Sequence, residues 1–334
     1  MKKLIFSVAL LSAALSASAE EHPLWMRYPA ISPDGTTIAF AYKGDLYSVS
    51  VNGGEARQLT THAAFDSHPV WSPDSKKIAF QSNREGSLDI FVIDAKGGAP
   101  TRLTTNSGSE TPIAFADNDH VLYSASLQPT AQSIIFGDNT FPQVYKVSTK
   151  GGRPELFSTL TMENISIAKN GDILYHDKKG YEDPWRKHQK SPIARDIWLK
   201  SNRKFTKQTT FAGEDRSPVW TSDEKSFFYL SEQDGTFNIY RRSLNNSSDK
   251  QITHHKGNPV RFLTASSADL LCYGYDGEIY TVKEGGEPQK VNISITTDND
   301  APSLVRQIKS WGATEISVSP DAKEVAFVMH GDVY

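Results

Sequence analysis

An acidic or amide residue, then an aliphatic, then an aromatic residue recurs seven times along this 334-residue chain. The copies are Asp45-Leu46-Tyr47, Asp89-Ile90-Phe91, Gln143-Val144-Tyr145, Asp196-Ile197-Trp198, Asn238-Ile239-Tyr240, Glu278-Ile279-Tyr280 and Asp332-Val333-Tyr334. Successive copies stand 44, 54, 53, 42, 40 and 54 residues apart. Between them runs a constant order of short apolar segments and turn chemistry, fullest in Pro69-Val70-Trp71-Ser72-Pro73-Asp74-Ser75-Lys76-Lys77-Ile78-Ala79-Phe80 and its continuation to Thr104. Asp74-Ser75, like Asp34-Gly35, is a tight-turn pair, and Gly97-Gly98 supplies positive φ for a second turn. Pro69 and Pro73 are expected to hold the residues before them extended. Strand, turn, strand, loop, strand, turn, strand, repeated about every 40–45 residues, predicts four-stranded antiparallel blades of a β-propeller. The longer intervals predict insertions.

The turn between strands one and two repeats as Ser32-Pro33-Asp34-Gly35 and Ser72-Pro73-Asp74-Ser75, with variants at Asn170-Gly171, Ser222-Asp223-Glu224 and Ser319-Pro320-Asp321. Near Phe262-Leu263-Thr264 the motif is lost, which makes that blade the least secure. Blades close on a polar-aliphatic-Thr segment, as in Gln58-Leu59-Thr60, Arg102-Leu103-Thr104 and Gln251-Ile252-Thr253. The gap from Gly286 to Glu315 is 29 residues, against 15 from Gly54 to Pro69, and it holds the linker-like Thr296-Thr297-Asp298-Asn299-Asp300-Ala301-Pro302. The fold expected is therefore all-β: a six-bladed propeller over 20–294, a linker over 295–312 and the truncated first blade of a second propeller over 313–334. The alternative is one seven-bladed ring closed by Leu24-Trp25-Met26-Arg27.

Residues 1–19 read as a cleavable signal peptide: basic Lys2-Lys3, a mostly apolar run to Leu15, and Ala17-Ser18-Ala19 before the cut. Cleavage after Ala19 implies a periplasmic or secreted protein with no membrane span. The sole cysteine, Cys272, sits in an apolar run and reads as a buried thiol. A net charge of −3 gives no bulk basicity to argue for nucleic acid.

The Trp/Phe-Ser-Pro-Asp-Gly turn followed by Ile-Ala-Phe resembles the repeat, WD40-like or PD40, shared by TolB and the N-terminal part of tricorn-type (S41-like) serine proteases. The resemblance covers nearly all of residues 22–334. The insert Lys179-Gly180-Tyr181-Glu182-Asp183-Pro184-Trp185-Arg186-Lys187-His188, followed by Ala194-Arg195-Asp196, looks most like bacterial tricorn homologues. That resemblance implies a non-catalytic filter, exit route and peptide-binding scaffold for a serine peptidase core outside this chain, in a homo-oligomeric parent. A free-standing, TolB-like periplasmic module that docks a protein partner on its loop face is the other reading.

Four strands per blade put loops two-three of every blade on one face. The insertions at 127–142 and 177–195 thus share that face, where a rigid scaffold presents binding loops. The second carries Lys178, Lys179, Arg186, Lys187, Lys190 and Arg195 against Asp177, Glu182 and Asp183, six minus three giving +3. Trp185, Arg186, Lys187, His188 and Arg195 are the candidates for holding a peptide carboxylate. The bland alternative is a solvated loop with Trp185 packed on a neighbour. His62, Asp66 and His68 lie close in sequence without metal-ligand spacing, and Asp117-Asn118-Asp119 lacks the rest of a calcium loop. With no G-x-S-x-G, Walker loop or dinucleotide fingerprint, neither a catalytic residue nor a cofactor is expected here.

Overall fold

The structure, a computed structural model, describes residues 23–126, 141–180, 190–296, 312–329 and 332–334. Six four-stranded antiparallel sheets follow one another from Arg27 to Lys290, each built from one continuous stretch of chain with its strands in sequence order. Their first strands are Arg27–Ile31, Asp66–Trp71, Glu110–Asp117, Met162–Ile167, Asp215–Trp220 and Arg261–Ala265. Each first strand packs against the first strands of the blades on either side, and that of blade 6 against that of blade 1. The sheets therefore close into a six-bladed ring. The seven-bladed alternative is excluded: Leu24 and Trp25 form no strand, and Arg27 opens blade 1.

The recurring triplet lies at or within two residues of the start of the third strand of its blade, and its role is visible in the bonding. The aliphatic member is buried in all six blades (Leu46, Ile90, Val144, Ile197, Ile239, Ile279). Its backbone N–H donates to the threonine that closes the blade: Leu46 to Thr60 Oγ1 at 2.9 Å, Ile90 to Thr104 at 2.9 Å, Ile239 to Thr253 at 2.9 Å. The polar member receives that threonine's own hydroxyl in two blades, at Asp45 (3.2 Å) and Asn238 (2.9 Å). Three residues thus satisfy one another where the outer strand ends. An unmade bond at such a buried position costs about 1–3 kcal/mol, so the triplet and the distant threonine recur together.

Six apolar clusters hold the ring, one at each blade interface. The first turns form a belt from blade to blade. Asp34 N–H donates to Ser75 Oγ (3.1 Å), Asp74 N–H to Asn118 Oδ1 (3.0 Å), Lys169 N–H to Glu224 Oε1 (2.9 Å) and Ser222 N–H to Asp269 Oδ1 (2.7 Å). Ser267 N–H reaches the Pro33 carbonyl (2.8 Å), joining blade 6 back to blade 1. Blade 6 is thus complete despite its altered motif. Ser266 caps its turn, and Asp269 takes positive φ (57°) where Gly35 does in blade 1 (74°).

Among the described residues no strand is exchanged to lock the ring; the seam between blades 6 and 1 is covered instead. Ile293–Ser294 pairs in parallel with Gly54–Glu55, and Val291, Ile293 and Ile295 pack with Ile38, Phe40, Ile279 and Cys272. Cys272 is fully buried there, as its apolar context indicated. The seventh triplet lies in a separate three-stranded antiparallel sheet of Ala313–Val318, Val325–Met329 and Asp332–Val333. Its Ser319-Pro320-Asp321 turn bonds as in the ring, Ser319 Oγ to Asp321 Oδ1 at 2.7 Å, consistent with the opening of a further blade. Among the described residues no helix is long and apolar enough to cross a membrane. The signal peptide expected at 1–19 lies outside the described residues.

Candidate functional site in the axial channel

Every first strand slips register against its neighbour: at Arg27/Ala30, Ser67/Val70, Pro112/Ala114 (and again at Phe115/Asp117), Glu163/Ser166, Arg216/Val219 and Arg261/Thr264. In five of these bulges a non-glycine residue takes positive φ: Tyr28 (53°), His68 (55°), Asn164 (48°), Ser217 (51°) and Phe262 (58°). Such residues cost on the order of 1–3 kcal/mol each and gather where a strand must re-aim a side chain. The expectation that Pro69 holds His68 extended is therefore not met. Turning the strand towards the axis outweighs the preference imposed by the proline ring.

All five residues line a cavity of about 670 Å³ on the axis, to which every blade contributes. Its wall is divided. From blades 1, 2 and 3 the lining carries no formal charge, being Tyr28, His68, prolines, small hydroxyl residues and aliphatics. From blades 4, 5 and 6 come Lys178, Arg195, Arg216 and Arg261 against Glu163, four minus one giving +3. Burial draws His68 down to about 4, so it adds no charge at neutral pH.

The charged wall is a connected network. Arg195 Nε donates to Glu163 Oε2 at 3.1 Å, and its Nη1 donates to Glu214 Oε1 at 2.8 Å. Arg216 Nη2 donates to the other oxygen of Glu214, and Lys178 stands 3.8 Å from Glu163. His176 Nε2 pairs with Glu163 Oε2 at 3.0 Å, while its Nδ1 accepts the Ser217 backbone N–H at 3.1 Å. Burial pulls His176 below its ordinary range despite Glu163, so the ring is neutral with its proton on Nε2. For Glu163, burial pushes upward, but His176, Arg195 and Lys178 together hold the carboxyl well below the usual range. Burial and then the Arg195 and Arg261 cations bring Arg216 down to about 9, which leaves it charged at neutral pH. Its guanidinium also lies 5.1 Å from the Phe237 ring centroid. Buried cations held by hydrogen-bonded carboxylates are fixed in place, a precondition for receiving an anion without reorganisation.

Of the sequence candidates, Arg195 is in this wall, while Trp185, Arg186, Lys187 and His188 fall outside the described residues. Ser126 and Pro142 stand at the two ends of one insertion, and Lys178 and Arg195 near the two ends of the other; all four line the cavity. Glu163, His176, Glu214, Arg216 and Arg261 were missed. For Glu163, Arg216 and Arg261 the available signal was a charged residue just ahead of the bulge in blades 4, 5 and 6, hidden by reading the insertion for its charge. Asp66 is bound by Arg84 at 2.8 Å, and His68 packs against Tyr28. Among the described residues no group of three or more His, Cys, Asp or Glu gathers as a metal site.

Residues 23–288 match the family described as "Tricorn protease N-terminal beta propeller domain". Tricorn protease homolog 1 of Streptomyces coelicolor is 24% identical over 322 residues, covering 93% of this chain and 29% of that protein. Tricorn protease of Thermoplasma volcanium is 26% identical over 283 residues, covering 80% of this chain and 26% of that protein. The crystal structure of the tricorn protease superposes with a TM-score of 0.70 at 20% identity, over 93% of this chain and 30% of that one, a likeness of fold. The chain thus spans less than a third of the length of the curated relatives it matches.

Proposed function

The chain belongs to the tricorn protease N-terminal β-propeller family, and from that premise we propose that it is the non-catalytic channel portion of an exported tricorn-like serine peptidase. The observation that carries this reading is the axial cavity lined by the first strand of every blade, with one wall cationic. A ring closed by six apolar interfaces cannot widen without parting a blade pair. Steric selection follows: extended peptides and small molecules enter, and folded domains do not. The cationic wall suits the one group every peptide end presents, a carboxylate, with Arg195 as the described candidate and Trp185, Arg186, Lys187 and His188 as the further candidates. The serine nucleophile and its partners belong, on this reading, to a peptidase core beyond this chain, in a homo-oligomeric parent that works in the periplasm or outside the cell.

The test is access. Cys272 is buried, so a Thr111→Cys substitution places one reactive thiol on the channel wall. A maleimide on an unstructured peptide should modify it at least tenfold faster than the same maleimide on a small folded protein. Equal rates would remove the filter.

A further inference from the structure

The bulge residues of blades 6, 1 and 2 are Phe262, Tyr28 and His68, and they touch. Tyr28 lies 3.7 Å from His68 between ring centroids, tilted by 32°, and 4.7 Å from Phe262, tilted by 57°. This makes a continuous aromatic arc on the cavity wall. In a ring of six, blade 1 stands opposite blade 4 and blade 2 opposite blade 5. The arc therefore faces the blades that carry Arg195 and Arg216. Behind the cations, Glu214 is buried between Arg195 and Arg216, and the Glu232 carboxylate meets the Glu214 backbone N–H at 3.4 Å. Counting both, four cations stand against three carboxylates, an excess of +1 that one further carboxylate cancels.

We infer that the cavity reads the last residue of a peptide: its α-carboxylate lies on the Arg195–Arg216 wall, and a large apolar or aromatic side chain packs on the arc of Phe262, Tyr28 and His68. The inference rests on the reading of the channel as a peptide site and adds the class of peptide that it takes. Both halves are needed. The guanidinium groups, held by Glu163 and Glu214, fix the carboxylate without choosing among peptides. The arc has no formal charge to hydrate at neutral pH, so covering it with an apolar side chain releases water from both surfaces. The volume, about 670 Å³, lies within the range of roughly 300–1,000 Å³ common for small-ligand sites and leaves room for a terminal residue and its neighbour. A free acid ending in glycine uses one wall only, and an amide ending in phenylalanine uses the other only.

The experiment is fluorescence anisotropy on the intact chain with N-terminally labelled tetrapeptides. They end in phenylalanine or glycine, each as the free acid and as the amide. The phenylalanine acid should bind at least tenfold tighter than the glycine acid, and at least tenfold tighter than its own amide. Phe262→Ala should bring the phenylalanine-to-glycine ratio towards one. Because that residue sits at positive φ, the unmodified chain supplies a second measurement: N-acetylphenylalanine should displace the probe at a concentration at least tenfold below N-acetylglycine. Equal binding of the two acids, with both amides weaker, would overturn the side-chain selection and leave the peptide site standing. An amide that binds as well as its acid would overturn the carboxylate wall. Binding by none of the four would remove both the inference and the reading beneath it.

Discussion

Ser217 donates its backbone N–H to His176 Nδ1 at 3.1 Å, tying the bulge of blade 5 to the second strand of blade 4. The imidazole is thereby fixed as a neutral bridge whose Nε2–H points at Glu163. Burial lowers its pKa, so below the unfolded value, about 6.5, the unfolded chain takes the proton first. Stability from this group is full above that pH and is lost as the pH falls through it. The difference in urea midpoint between the unaltered chain and His176→Gln should therefore shrink from pH 7 to pH 5. A constant difference would show that the ring titrates as it does in water.

Asp215 carries the opposite sign. It opens the first strand of blade 5 at 1% exposure, and burial raises its carboxyl to about 7, against the Ser231 and Thr209 hydroxyls and with Asp196 and Asp249 adding to the rise. A raised carboxyl favours the native state while it is protonated, so its contribution is lost as pH rises from about 4 to about 7. Asp215→Asn should gain on the unaltered chain by on the order of 3 kcal/mol between pH 5 and pH 8. Chemical denaturation at the two pH values measures it.

Arg195→Met should destabilise the ring by about 3 kcal/mol, because it leaves Glu214 buried with one partner fewer and Glu163 with neither its Nε–H nor its charge. Arg195→Lys keeps the charge but cannot reach both carboxylates from one planar fork, so its loss should fall between. Urea denaturation orders the three proteins; Lys equal to Met would place the effect in shape rather than charge.

How far these features were legible in the sequence follows from how local their causes are. The triplet and the closing threonine stand about 15 residues apart and bond to each other, so their spacing recorded the blade directly. Ser-Pro-Asp-Gly turns were legible for the same reason, Ser32 Oγ meeting Asp34 Oδ1 at 2.6 Å. The turn at Ser266–Asp269 was not, since a different set of residues supplies the same cap and left-handed corner. The bulge at His68 was misread because proline speaks for extended backbone at the residue before it, whereas the demand to turn Tyr28, His68 and Ser217 inward comes from the ring. Glu163, His176, Arg195 and Glu214 meet through blades packed side by side, and no local pattern joins them. The insertion drew attention to Arg195, which belongs to the site; Arg216, the cation that shares Glu214 with it, stands 21 residues further on.

Gly53 has φ +82°, and a Cβ there would lie 2.4 Å from the Asn292 carbonyl oxygen. Gly53→Ala should push off the segment Ile293–Ser294 that covers the seam between blades 6 and 1. Cys272 lies in that seam, so its reaction with a thiol reagent under native conditions should quicken at least tenfold while far-UV circular dichroism stays that of a β protein. An unchanged rate would mean that the seam is held by blades 1 and 6 alone.

The account depends above all on the ring closing where its first and last blades meet. With Cys272 replaced by Ser, Pro33→Cys and Ser267→Cys place two thiols on turns joined by a 2.8 Å backbone hydrogen bond. A short bismaleimide should link them within one molecule at a rate independent of protein concentration, giving a looped species of altered mobility on a denaturing gel. Linkage only between molecules, or none, would mean that blades 1 and 6 do not meet and that no axial channel exists.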